Sequence, residues 1–208
     1  MAQTKINHEA RKERILAESI KLFAREGYSA VNMGMIAAAV GLSRTLLYTY
    51  YRDKRVIFNE AISGVTSRIE AKYAEVMRSR QCADAKLRQI CVAVFAMLFD
   101  NRDFVCVIAD VLANERRKGE IPVERVDAHT RGLKRILRSL INEAVRRGEY
   151  QASVDPLRMV RLIYSQFEAV ALRITVTGRA EISECIDQLD AILFSMRSQD
   201  NSRRRILA

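Results

Sequence analysis

Apolar side chains recur along this chain at three- and four-residue intervals, the spacing of one helix face, and not at the alternate positions of a strand. From His8 to Glu26 the stripe is Leu16, Ile20 and Phe23, widened by Ile15, Ser19 and Leu22, and Gly27-Tyr28 reads as its left-handed stop. Arg11, Lys12, Arg14, Lys21 and Arg25 fall on the other faces. A much shorter pattern follows, with Asn32 as N-cap and Met33, Ile36, Ala37 and Val40 at i, i+3, i+4 and i+7, ended by Gly41. Ser43 caps a third helix, on which Leu47 and Tyr51 point inward with Leu42. Asp53 caps a fourth, which carries Val56, Ile57, Ala61, Ile62, Val65 and Ile69 towards Arg80.

Beyond it, Ala85 to Phe99 is apolar nearly all round and predicts a buried helix. Asn101 to Asp103 break it, and Phe104 to Leu112 forms a second buried segment. Gly119 to Pro122 marks a loop, and a helix from Glu124 to Arg147 ends at Gly148. Asp155-Pro156 supplies an N-cap and a first-turn proline for a helix that runs to Thr177 and stops at Gly178. Its stripe is Val160, Ile163, Tyr164, Phe167, Val170, Ala171 and Ile174. The last helix, from around Ser183, has Ile182, Ile186, Leu189, Leu193 and Met196 at near-heptad spacing. The expectation is an all-α protein, with a three-helix head over residues 1–53 and a larger helical domain over residues 54–208.

Composition supports this and narrows the partners. Eight Gly and two Pro leave long helices uninterrupted, and 49% hydrophobic with 29% charged residues excludes wholesale disorder. A net charge of +10 and a pI near 9.8 point to a polyanionic partner, nucleic acid ahead of membrane lipid. Met1 to Arg14 is too polar for a secretory signal, and the longest apolar run, Ile90 to Phe99, falls short of the ~20 residues that span a bilayer. A cytoplasmic protein without membrane contact is expected. Cys82, Cys91, Cys106 and Cys185 lie far apart and read as reduced thiols. With His8 and His129 as the only histidines, no metal site or cofactor is expected. Nucleophile-elbow, phosphate-loop and dinucleotide motifs are missing, so an enzyme is not expected either.

The chemistry that is present lies in Asn32 to Lys54. Two short helices hinged at Gly41, each with its own N-cap, have the form of a helix-turn-helix. At 100° per residue, Thr45 and Thr49 lie opposite the buried Leu47, with Leu46 and Tyr48 beside them. A leucine there can meet thymine methyl groups, and threonine hydroxyls can meet base edges or phosphates. Tyr48 and Tyr50 can reach phosphate oxygens; Arg44 is a candidate for guanine or for phosphate. Lys54 and Arg55 sit in the first turn of a helix, where cations oppose the macrodipole and a docked phosphate would relieve the mismatch.

The order Phe23, Gly27-Tyr28, Ile36-Ala37, Gly41-Leu42-Ser43, Leu47-Tyr48, Tyr50-Tyr51 and Lys54 resembles the TetR family of bacterial transcriptional regulators. The resemblance covers the first fifty-five or so residues. It implies a three-helix DNA-binding head followed by a larger ligand-binding and dimerisation domain. Arg44, Thr45, Leu46, Tyr48, Thr49 and Tyr50 would then face the operator, with Asn32 and Lys54 clamping phosphates. The chain departs from the family where Thr45-Leu46 replaces a small residue followed by a hydroxyl, and where Thr49 replaces a ring.

The last two helices would form a four-helix bundle across a two-fold axis through Val160, Ile163, Tyr164, Phe167, Val170, Ile174, Ile182, Ile186, Leu189 and Leu193. Phe95, Phe99, Phe104, Tyr164 and Phe167 are the candidate lining of a pocket for a small lipophilic or aromatic effector. The expected function is a homodimeric repressor that binds a near-palindromic operator in double-stranded DNA and is released by its effector. The alternative is a helical interaction protein that acts through a protein partner without effector control.

Overall fold

The computed structural model describes residues 2–119 and 123–198, with side chains from 8 to 119 and from 130 to 198. The side chain of His129 and the tail from Asn201, expected to fray, lie outside the described residues. Regular structure among the described residues is helical: α1 (Ala2–Glu26), α2 (Met33–Val40), α3 (Arg44–Tyr50), α4 (Lys54–Arg78), α5 (Ala83–Asp100), α6 (Arg102–Arg117), α7 (Val123–Arg146), α8 (Pro156–Thr177) and α9 (Ile182–Met196). No helix is long and apolar enough to cross a membrane among these residues. The chain divides into two compact units, Met1–Arg68 with Asn101–Ile121, and Ile69–Asp100 with Pro122–Ala208.

The first unit is built on α1 to α3. α1 starts at Ala2, ahead of the expected His8, and its inward ridge is Ile15, Ser19, Leu22 and Phe23, while Leu16 and Ile20 are half-buried. α2 buries Met33, Ile36, Ala37 and Val40 as the spacing predicts. The same core takes Leu47 and Tyr51 from the α3 segment, Ile57 and Phe58 from α4, and Phe104 and Val107 from α6. α6 departs from the sequence expectation. Instead of a short buried segment it is an amphipathic helix, with Phe104, Val107, Ile108 and Val111 at i, i+3, i+4 and i+7 turned to the head core. Packing therefore groups Asn101–Ile121 with the head rather than with the residues on either side of it in sequence.

In the second unit α5 packs against α7, α8 and α9. Leu87, Ile90, Cys91, Val94 and Phe95 of α5 meet Leu137, Leu140, Ile141 and Ala144 of α7 in a buried core. A polar knot closes one end. Glu149 accepts the backbone N–H groups of Ala83 and Asp84, satisfying the open first turn of α5. Tyr150 donates its hydroxyl to Asp84 at 2.9 Å, and Arg197 donates Nη2 to the other carboxylate oxygen at 2.9 Å. Burial, and then the Asp84 charge, push the Tyr150 hydroxyl far above its ordinary pKa, so it stays a donor.

Seven of the ten residues expected at a subunit interface are already buried within the single chain. Val160, Ile163, Phe167, Val170 and Ile174 of α8, with Leu189 and Leu193 of α9, are buried within the chain's own core. Tyr164, Ile182 and Ile186 are half-buried. Helical spacing reports which face is dry, and much of that face is covered by the same chain. The apolar side chains left in water on these helices are others: Leu157, Leu162, Leu172 and Val176 on α8 and Phe194 on α9, with Leu172, Val176 and Phe194 62%, 72% and 62% exposed.

Of the five aromatic rings expected to line a pocket, Phe95, Tyr164 and Phe167 lie near one another in the second unit. Phe95 and Phe167 meet edge to face at 5.1 Å, and Tyr164 lies 6.2 Å from Phe167. Phe104 is in the core of the other unit, and Phe99 is half-buried on α5. Phe95 and Phe167 are packed side chains, and aromatic spacing along a helix here reports packing.

Candidate nucleic-acid interface

The hinge between α2 and α3 is assembled by local hydrogen bonds. Asn32 Oδ1 accepts the N–H groups of Gly34 and Met35 at 2.9 and 3.1 Å, and Ser43 Oγ accepts that of Leu46 at 3.2 Å. Between them Gly41 takes φ 70°, a conformation that costs a Cβ-bearing residue, and the Leu42 N–H returns to the Ala37 carbonyl at 2.9 Å. Each helix is too short to persist alone, so these caps and the buried Leu47 and Tyr51 set the direction of α3.

That direction leaves Arg44, Thr45, Leu46, Tyr48 and Thr49 exposed. Leu46 is 37% and Tyr48 47% in water, an apolar exposure with no use in the isolated unit. Thr49 donates its hydroxyl to the Leu46 carbonyl at 2.7 Å, which leaves its oxygen as an acceptor. Arg44 lies back over the first turn of α2: a Cβ added at Gly34 would stand 3.7 Å from both Cδ and Nε of Arg44. A Cβ there would only touch Arg44 at ordinary contact distance; the tighter neighbour is the capping Asn32 Oδ1, at 3.1 Å.

Two expected contact residues are engaged elsewhere. Tyr50 is half-buried against α1, with the His8 ring stacked on it at 4.7 Å and Arg11 Nη1 donating to its hydroxyl at 3.3 Å. Lys54 was expected to clamp a phosphate. Its ammonium instead donates to the carbonyls of Tyr28, Ser29 and Val31 at 2.7, 3.1 and 2.6 Å, above the Tyr28 ring at 4.8 Å. An ammonium has three donors, and all are spent on this turn. Partial burial, and secondarily Lys118, hold its pKa below the ordinary lysine value. Asp53 caps α4 as expected, accepting the Val56 N–H at 2.9 Å.

The same turn is held from α6. Asp110 accepts the Tyr28 N–H at 2.9 Å, and Asn114 donates to the Ser29 hydroxyl at 2.8 Å. Sequence reasoning missed both residues. Their one signal is the amphipathic spacing of Phe104, Val107, Ile108 and Val111, which places Asp110 and Asn114 next to the inward face.

A head with one capped, outward helix invites comparison with known regulators. The profile of bacterial regulatory proteins of the tetR family matches residues 15–61, which span the ridge of α1, both short helices and the start of α4. The tetR-family match thus covers the head of this chain. The chain is 33% identical over 58 residues to the HTH-type transcriptional regulator AcrR of Shigella flexneri, across 28% of this chain and 27% of that one. Matches to the curated HTH-type relatives span 27% to 35% of their length. The fold extends further than the sequence likeness. A TetR transcription regulator from Haloarcula marismortui superposes with a TM-score of 0.74 at 15% identity, covering 91% of this chain and all 100% of that one. The TetR-family regulator PfmR from Thermus thermophilus gives 0.71 at 23% identity, over 86% and 97%. Among the described residues no three His, Cys, Asp or Glu side chains are grouped to hold a metal ion.

Proposed function

We propose that this chain is a sequence-specific DNA-binding transcriptional regulator, a repressor, that acts in the cytoplasm as a homodimer and is released from its operator by a small molecule. The observation that carries the reading is the outward face of α3. Arg44, Thr45, Leu46, Tyr48 and Thr49 are exposed on a helix whose direction is fixed by caps and a packed core. Such a face suits the major groove: an arginine for guanine or phosphate, hydroxyls for base edges and a leucine for a thymine methyl. In this reading Lys54 is a positioning residue that holds the turn behind the reading helix, and Tyr50 fastens α3 to α1. Asn32 stands at the exposed N-terminus of α2, where it both caps the helix and approaches a phosphate.

Dimerisation is assigned to the exposed stripe Leu162, Leu172 and Val176 of α8 together with Phe194 of α9, because apolar groups so exposed need cover. Release works through α4 and α6. Both tie to the Tyr28–Val31 turn, by Lys54 and by Asp110 and Asn114, and both continue in sequence into the second unit. An effector that binds two arrangements of that unit unequally shifts the head by its differential affinity and by no more.

The test is a gel-shift assay with DNA flanking the protein's own coding sequence, against excess random competitor over a range of salt. A retained complex that survives competitor, and weakens with salt in proportion to the phosphates contacted, is expected. Equal affinity for flanking and random DNA rejects sequence-specific reading.

A further inference from the structure

The second unit holds a basic groove between α7 and α8 that the DNA-reading function leaves unused. Its volume is about 660 Å³, within the ~300–1,000 Å³ typical of small-molecule sites. One wall is Arg131, Lys134, Arg135 and Arg138, at i, i+3, i+4 and i+7 on one face of α7. The other is α8, which adds Arg161 and, as the carboxylate among the described lining residues, Glu168. Among the described lining residues five cations stand with one carboxylate. The floor is different in kind: Leu157, Val160 and the Tyr164 ring, with Lys134 Nζ 4.1 Å above that ring.

We propose that this groove binds a phosphate-bearing small molecule with an aromatic or apolar portion, of the size of a nucleoside diphosphate. The guanidinium groups suit bidentate contact to phosphate oxygens, and the floor suits a flat ring or short chain. Position on α8 separates this site from the exposed apolar stripe. At 100° per residue, Leu157, Val160, Arg161, Tyr164 and Glu168 centre on a face about a quarter turn from Leu162, Leu172 and Val176. Occupancy is therefore compatible with cover of that stripe. The groove is also distinct from the Phe95–Phe167 pair, which is packed. Binding at the groove stands independently of the head; that the bound molecule controls DNA release rests on the proposed regulatory reading.

The test is calorimetry on the full-length protein with ADP as the probe, and inorganic pyrophosphate and adenosine as controls. ADP binds saturably, pyrophosphate competes with it, and adenosine binds at least about tenfold more weakly than ADP. The variant R131Q/R135Q/R138Q, altered only at exposed positions, weakens ADP about tenfold or more with its helical circular dichroism unchanged. Arg161→Gln on the opposite wall also weakens it. The proposal is overturned by no saturable heat from ADP or pyrophosphate, or by unchanged affinity in either variant. It is overturned too if the triple variant loses random-duplex DNA affinity as steeply as ADP affinity, which would make the row a track for the DNA backbone. Operator binding of the same protein, measured with and without ADP, is a separate readout. Absence of operator binding by the wild type without ADP would reject the regulator reading and leave the groove standing.

Discussion

In α3, seven residues long, Leu47 is the buried side chain; in α8, twenty-two residues long, Val160, Ile163, Phe167, Val170 and Ile174 are all buried. Both helices leave apolar side chains in water, Leu46 and Tyr48 on one, Leu172 and Val176 on the other. The long helix owns its position, since five packed side chains hold it whatever covers its outer stripe. The short one borrows its position from Asn32, Ser43, Lys54 and α6, none of which lies on the reading face. A DNA-reading helix with few contacts of its own is easily re-aimed, which suits the proposed release by an effector. It also means that changes behind α3 alter DNA binding as strongly as changes on it.

The comparison breaks most readily at Leu47. Leu47→Ala removes the one buried side chain of α3 and costs about 2–5 kcal/mol, read as a lowered urea midpoint for the head. The same loss at one of five α8 positions leaves that helix in place. Next comes Lys54→Met, which strips three carbonyls of their charged donor. It costs about 1.5–3 kcal/mol in stability, with DNA affinity falling in step. A fully stable Lys54→Met protein with a shallower salt dependence of DNA binding would return Lys54 to the role of phosphate clamp. Arg44→Ala leaves the unfolding curve unchanged and loses about 1–3 kcal/mol at particular base pairs, as shown by competition among single-base operator variants. Equal losses on operator and random DNA would make Arg44 a phosphate contact.

Smaller effects sharpen the α8 side. Leu172→Ser with Val176→Ser changes the stability of the single chain by no more than ~0.5 kcal/mol, yet sedimentation shows the assembly shifted to monomer. The smallest is the half-exposed pair of Arg88 and Asp190, joined at 2.6 and 2.8 Å, which ties α5 to α9. The Arg88 hydrogen bond holds the Asp190 carboxyl below its ordinary 3.8. A depressed carboxyl adds stability that is fully present above that ordinary value and is lost as pH falls through the folded-state value. At this exposure it is worth ~0–1 kcal/mol. Arg88→Ala should therefore lower the urea midpoint slightly at neutral pH, and the difference should vanish well below pH 3.8.

How far each region was legible follows from how local its forces are. Asn32, Ser43, Asp53 and Asp155 each bond an N–H two or three residues on, so their caps are written in consecutive letters. Met33, Ile36, Ala37 and Val40 likewise declare their face by spacing alone. Lys54 meets carbonyls 23 to 26 residues back, and Asp110 meets an N–H 82 residues away. Nothing in their neighbourhoods announces those partners, and a cation in a first turn read naturally as a phosphate site. On α8 the spacing identified the dry face correctly, but a stripe carries no label for what dries it. The surface more telling of a partner was the set Leu162, Leu172, Val176 and Phe194, which periodic burial passes over. The basic row on α7 was visible as letters, but its groove exists only once α8 is set beside it.

The central claim is that the exposed face of α3 reads DNA sequence in a paired arrangement. Selection of binding sites by the full-length protein from a pool of random duplexes, followed by sequencing, tests it most directly. The account predicts an enriched near-palindrome whose half-sites lie one or more helical turns apart, and whose strongest positions weaken in an Arg44→Ala selection. Enrichment of no motif, or of one unchanged by Arg44→Ala and by substitutions at Leu46 and Tyr48, would contradict it.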